Sequence, residues 1–216
     1  MSSGRRVQIG AMTTSVLGRG LAAAIALAAA AGLVLQFSAT MNTGAPPGIS
    51  LWILARFFTI LTNLLVAATF AAVALNPRPL RPPWLVAGTT LSILLVGVIY
   101  GLLLHGLTEL SGAGQMANVL LHMVTPVLAP LYWLGFAPKG QLRYRDTLIW
   151  AGYPTAYVVY ALARGAADGR CPYPFIDVAA IGWAQTAVNC AAIGAGFLVI
   201  AAAAVWLDHR LGRRRI

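Results

Sequence analysis

Hydrophobic residues in this chain come in long runs separated by short polar or proline-rich gaps, with neither the strict alternation of strands nor a single apolar stripe. Six runs, 17–37, 51–75, 85–107, 117–136, 147–163 and 183–207, approach the ~20 residues that a helix needs to cross the hydrocarbon core of a bilayer. The gap after the second run holds Pro77, Pro79, Pro82 and Pro83, which cannot sustain a helical ladder. The fourth run follows a Gly- and Ser-rich stretch and ends before Ala137-Pro138-Lys139-Gly140, while the fifth is the shortest and carries Pro154. The pattern predicts an all-α integral membrane protein: an N-terminal segment over 1–16, a bundle of six transmembrane helices over 17–207, and a basic tail over 208–216.

Composition supports that solvent. Of 216 residues, 59% are apolar and 9% charged, with a mean hydropathy of +0.78. A soluble domain carries about 25% charged residues, so this chain has too few to cover a water-facing surface. It is also too apolar for a disordered chain, and Cys171 and Cys190 are too few for a disulfide scaffold. The net charge of +10 lies in short flanks between apolar runs, which points to membrane orientation and away from a nucleic-acid partner.

When the runs alternate in direction, Arg5, Arg6, Arg19, Arg78, Arg81, Lys139, Arg143, Arg145, Arg210, Arg213, Arg214 and Arg215 share one side. The positive-inside rule makes that side cytoplasmic, with both termini on it, in a cell (inner) membrane. Arg5-Arg6 before the Ala-rich run has the outline of a signal peptide, but the run exceeds the usual 7 to 15 apolar residues and is taken as a span. No phosphate-binding loop and no internal repeat is present.

Polar groups at membrane depth are costly and mark interhelical hydrogen bonds or a site. Counted from the outer end of the second run, Arg56, Thr59 and Asn63 lie roughly 8, 12 and 18 Å deep at 1.5 Å per residue. Their spacing of i, i+3 and i+7 predicts one helical face. Asn118, His122 and Thr125 repeat the pattern in the fourth run, with His122 about 8 Å deep on the same rise. His105, Tyr157, Tyr160, Arg164, Gln185 and Asn189 fall in the same outer layer, beneath a stiff aromatic loop carrying Asp177. An outer-half pocket is the expectation.

Thr59 and His122 are of the types, at matching depth, for a hydroxyl nucleophile activated by an imidazole base. The alternative for each is an ordinary hydrogen bond between or within helices. Arg56 either reaches the outer headgroups or holds a substrate carboxylate, and Asn63 and Asn118 either join helices or donate to an oxyanion. Zinc lacks a third ligand, since His209 lies in the tail. A haem held by His105 and His122 has no other support in the sequence, so no cofactor is expected. Asp177 and Asn189 complete the substrate-binding candidates.

The run Arg56-Phe57-Phe58-Thr59-Ile60-Leu61-Thr62-Asn63, then Asn118 to His122 with Pro126, Tyr153-Pro154, Tyr157, Arg164-Gly165 and Tyr173-Pro174-Phe175-Ile176-Asp177, resembles the bacterial Pr6Pr family of six-span membrane proteins. That family looks related to the androgen-induced membrane hydrolases, which cleave fatty acid esters with a Thr nucleophile and a His base. The resemblance implies Thr59 as nucleophile and His122 as base, with Thr62 as a rival one residue off the motif. It implies membrane lipids and a lipid or fatty-acyl ester as partners. The rival class is a non-enzymatic lipid-binding or small-solute transport protein that uses the same polar layer for recognition.

Overall fold

The computed structural model describes residues 16–75, 82–107 and 112–213. Arg5, Arg6, Arg78, Arg81, Arg214 and Arg215, which carry much of the expected orientation signal, lie outside them. Among the described residues every regular element is a helix. In order these are α1 (Val16–Met41), α2 (Pro47–Leu54), α3 (Phe58–Leu75) and α4 (Pro83–Ile99), which continues into a wide π turn at Tyr100–Leu104. Then come α5 (Gly112–Val119), a second π turn (Leu120–Val124), α6 (Thr125–Phe136), α7 (Asp146–Asp168), a short 3₁₀ turn (Pro174–Ile176) and α8 (Val178–Arg213).

Helix thus occupies each of the six apolar runs, and five segments are long and apolar enough to cross a membrane: α1, α3, α4 with its π turn, α5 through α6, and α8. The protein is an all-α, membrane-embedded chain. Large apolar side chains such as Leu17, Leu27, Leu64, Leu131 and Val199 face outward, as lipid-facing positions do when the solvent is hydrocarbon. α7 matches the others in length with 23 residues but carries Tyr153, Tyr157, Tyr160 and Arg164.

α1 packs along α3 and α5, α3 against α4, α4 against α6, and α7 against α8. The core centres on fully buried Ile25, Val66, Phe70 and Ile93, with Phe70 edge-on to Tyr132 at 5.2 Å. α4 and α6 meet closely at Gly97, where an added Cβ would stand 2.6 Å from the Pro126 ring. α8 starts with a kink at Gly182, whose φ of 76° only glycine adopts readily. At its far end α8 continues through Arg213, and buried Asp208 receives the Gln141 and Leu142 N–H groups at 2.8 and 2.9 Å. That bond closes the loop between α6 and α7.

The expectation of one continuous helix over 51–75 is corrected. The chain breaks at Ala55–Phe57, so that Arg56 sits in a turn and leaves the helical face it was expected to share with Thr59 and Asn63.

Candidate active site

A helix broken within a bilayer exposes backbone carbonyls, and each unpaired one costs several kcal/mol in hydrocarbon. Here α7 supplies the missing donors. Tyr157 and Tyr160 hydroxyls donate to the Arg56 and Ala55 carbonyls at 2.9 and 3.1 Å, and Arg164 Nη2 donates to the Trp52 carbonyl at 2.6 Å while its guanidinium covers the Trp52 ring. The polar residues that depress the hydropathy of α7 are therefore the ones that close the break. Arg56 is buried and turns toward the loop between α7 and α8, where it pairs with Asp168 and reaches the Arg170 carbonyl. Arg56 holds the Asp168 carboxyl down at about 2, by hydrogen bonding first.

The break places Thr59 as the second residue of α3. A threonine inside a helix commonly bonds back to the carbonyl four residues earlier, but that carbonyl belongs to Ala55 and is taken by Tyr160. The Thr59 hydroxyl instead meets His122 Nε2 at 3.3 Å. On the far side of the ring, His122 Nδ1 faces the Asn118 carbonyl at 3.3 Å. A carbonyl only accepts, so Nδ1 carries the proton and Nε2 of the neutral ring presents its lone pair to Thr59.

His122 lies within the second π turn, which follows from its neighbours. Pro126 has no N–H to give the His122 carbonyl, and the Thr125 N–H reaches back to Leu120 instead. The Leu121 carbonyl so released takes a hydrogen bond from Asn63 Nδ2 at 3.3 Å, and Asn63 Oδ1 accepts from Thr125 at 2.8 Å. Asn63, fully buried, thereby ties α3 to the turn that carries the imidazole. The Tyr100 ring stacks on His122 at 4.4 Å, and Asn118 Nδ2 donates to its hydroxyl at 2.6 Å.

The dyad separates two cavities. Thr59 lines one of about 380 Å³, walled mainly by apolar residues of α4, α7 and α8 together with Tyr157 and Tyr173. His122 lines another of about 430 Å³, with Tyr100, His105, Met123 and Pro126. Of the other sequence candidates, Thr62 faces Tyr153 at 3.1 Å. Asp177 caps α8 by accepting the Ala179 N–H at 3.1 Å, and Asn189 donates to the Phe175 carbonyl at 2.8 Å. Asp177 and Asn189 therefore shape the loop between α7 and α8 and do not line the first cavity.

Three contributors escaped the sequence argument. Tyr100 is aligned with His122 by tertiary packing alone, and Asp168 pairs with Arg56 across 112 positions. Tyr173 reads only as part of an aromatic loop, although the signal that fixes its backbone is visible: lying before Pro174, it is extended at φ −141° and ψ 138°. The chain matches no protein-family model, no curated protein and no solved structure.

Proposed function

We propose that this protein is an intramembrane hydrolase of lipid or fatty-acyl esters, with Thr59 as nucleophile and His122 as general base. The observation that carries the reading is the Thr59 to His122 Nε2 contact at 3.3 Å, with Nδ1 held on the Asn118 carbonyl. Thr59 Oγ1 adds to the ester carbonyl carbon as its proton passes to Nε2. The tetrahedral intermediate collapses, the C–O bond to the alcohol breaks, and the alcohol leaves with that proton. Water, deprotonated by the same nitrogen, then adds to the acyl-threonine; collapse releases the fatty acid and returns the proton to Thr59.

The apolar cavity on the Thr59 side suits the acyl chain, and the cavity on the His122 side suits the departing alcohol and the incoming water. Around this site we read α7 as a sixth crossing, with both termini cytoplasmic in the inner membrane. The resemblance to Pr6Pr proteins and their hydrolase relatives points the same way.

The test is turnover of a panel of long-chain acyl esters by detergent-purified protein, with fluorophosphonate labelling in parallel. Thr59→Ala is expected to abolish both, and His122→Ala to lower the rate by about 10²- to 10⁴-fold, the usual contribution of a general base. A folded wild type that neither turns over nor labels sinks the hydrolase and leaves a lipid-binding or transport protein.

A further inference from the structure

When Thr59 adds to an ester, the carbonyl oxygen becomes an alkoxide, and donors aimed at it from a dry wall stabilise the transition state. Of the two side-chain amides near the dyad, Asn63 gives its N–H groups to the Thr59 and Leu121 carbonyls, and Asn118, which donates to the Tyr100 hydroxyl, stands outside the lining of the Thr59 cavity. Tyr157 gives its proton to the Arg56 carbonyl. Thr155 and Tyr173 bring the other hydroxyls to the wall of the acyl cavity, and that of Tyr173 lies close to Thr59.

Tyr173 is only 9% exposed. Its ring is held between Phe175, stacked at 5.2 Å, and Phe57, edge-on at 6.1 Å, with Tyr157 at 6.4 Å. Its hydroxyl lies close to the Thr59 hydroxyl, to Tyr157 and to the backbone N–H groups of Phe58 and Thr59. Those two N–H groups open α3, where no preceding helical turn supplies carbonyls. Pro172 and Pro174 flank the tyrosine and hold its backbone to a narrow range.

We propose that Tyr173 is a catalytic residue of this reaction, its phenol O–H donating to the ester carbonyl oxygen as Thr59 attacks. The inference rests on the hydrolase reading above. As the Thr59 Oγ1–C bond forms, the carbonyl π pair moves onto oxygen, the Thr59 proton goes to His122, and Tyr173 shares its own proton with the alkoxide. When the carbonyl re-forms and the alcohol departs with the His122 proton, Tyr173 keeps the proton it began with. The phenol thus stands beside the nucleophile at the start of α3, on the wall of the acyl cavity.

The test compares kcat and KM of wild type, Tyr173→Phe and protein carrying 3-fluorotyrosine at position 173, with unfolding temperatures followed in parallel. Tyr173→Phe is expected to lower kcat by about 100-fold, the loss on removing one oxyanion donor, with KM unchanged. It is also expected to weaken a trifluoromethyl ketone of the acyl chain by a similar factor, while an unreactive ether analogue binds as in wild type. Fluorotyrosine keeps the donor and is expected to restore turnover, with a kcat altered by its stronger acidity. Should Tyr173→Phe fail to fold, the fluorotyrosine protein decides alone, and a kcat identical to wild type overturns the proposal. Active wild type with an equally active Tyr173→Phe overturns this role and leaves the dyad intact; inactive, unlabelled wild type overturns both.

Discussion

Single side chains at the break between α2 and α3 divide the labour of holding Thr59 in place. Arg56 turns its guanidinium to Asp168 and the Arg170 carbonyl and so anchors the turn to the end of α7. The folded carboxyl lies near 2 against an ordinary value of 3.8, so it is depressed, and its hydrogen bond to Arg56 is the main cause. A depressed acid stabilises the fold at every pH above its unfolded value and loses that contribution as pH falls through its folded value. Thermal unfolding in detergent is therefore expected to show wild type losing stability between about pH 4 and pH 2 from this group. Asp168→Asn should be less stable at neutral pH, because it leaves the Arg56 cation buried without its partner. It should also lack that acid-dependent step, and a variant with the wild-type profile contradicts the role.

Elements act here through their irregularities. The broken second helix gives Thr59 a hydroxyl free of its own backbone, and the π turn around His122 gives Asn63 a carbonyl to hold. The second depends on α4 approaching α6 closely enough to support the imidazole turn. At Gly97 an added Cβ would lie 2.6 Å from Pro126 Cβ and 3.6 Å from the His122 carbonyl oxygen. Carbon atoms settle at about 3.5 to 4.0 Å, so Gly97→Ala must displace the turn by about 1 Å. A misplacement of that size costs on the order of 100-fold in rate. The expected result is a steep fall in ester turnover for Gly97→Ala with folding retained. Gly135→Ala, on the exposed face of α6 where an added Cβ meets no packed neighbour within 4 Å, should behave as wild type.

At the scale of the whole molecule, α7 decides the topology. If it crosses, the two ends of the chain lie on one side of the membrane; if it lies at the interface, they lie on opposite sides. Its polar residues face the α2–α3 break, so they are satisfied within the protein and cost little in lipid. A phosphatase reporter joined after Arg213 is accordingly expected to be inactive, and one inserted near Arg170 to be active. The opposite result for both fusions, active after Arg213 and inactive near Arg170, would remove α7 from the count of crossings.

Much of this was legible along the chain, because lipid imposes a one-dimensional rule. A crossing helix must bond all its own backbone and cover itself in apolar side chains, so length and hydropathy betray it residue by residue. That rule located helix in all six apolar runs, and depth counting brought Thr59 and His122 to one layer. Depth, however, is a coordinate along the membrane normal and says nothing of which helices are neighbours or where a helix breaks. The turn at Ala55–Phe57 exists because Tyr157, Tyr160 and Arg164, a hundred positions away, supply its hydrogen bonds. The His122 tautomer follows from a wide turn that Pro126 permits and Asn63 secures from another helix. Sequence alone determined the solvent, the helices and the candidate pair; tertiary structure decided their contact, because an unpaired polar group in hydrocarbon is settled only by whichever partner the fold brings to it.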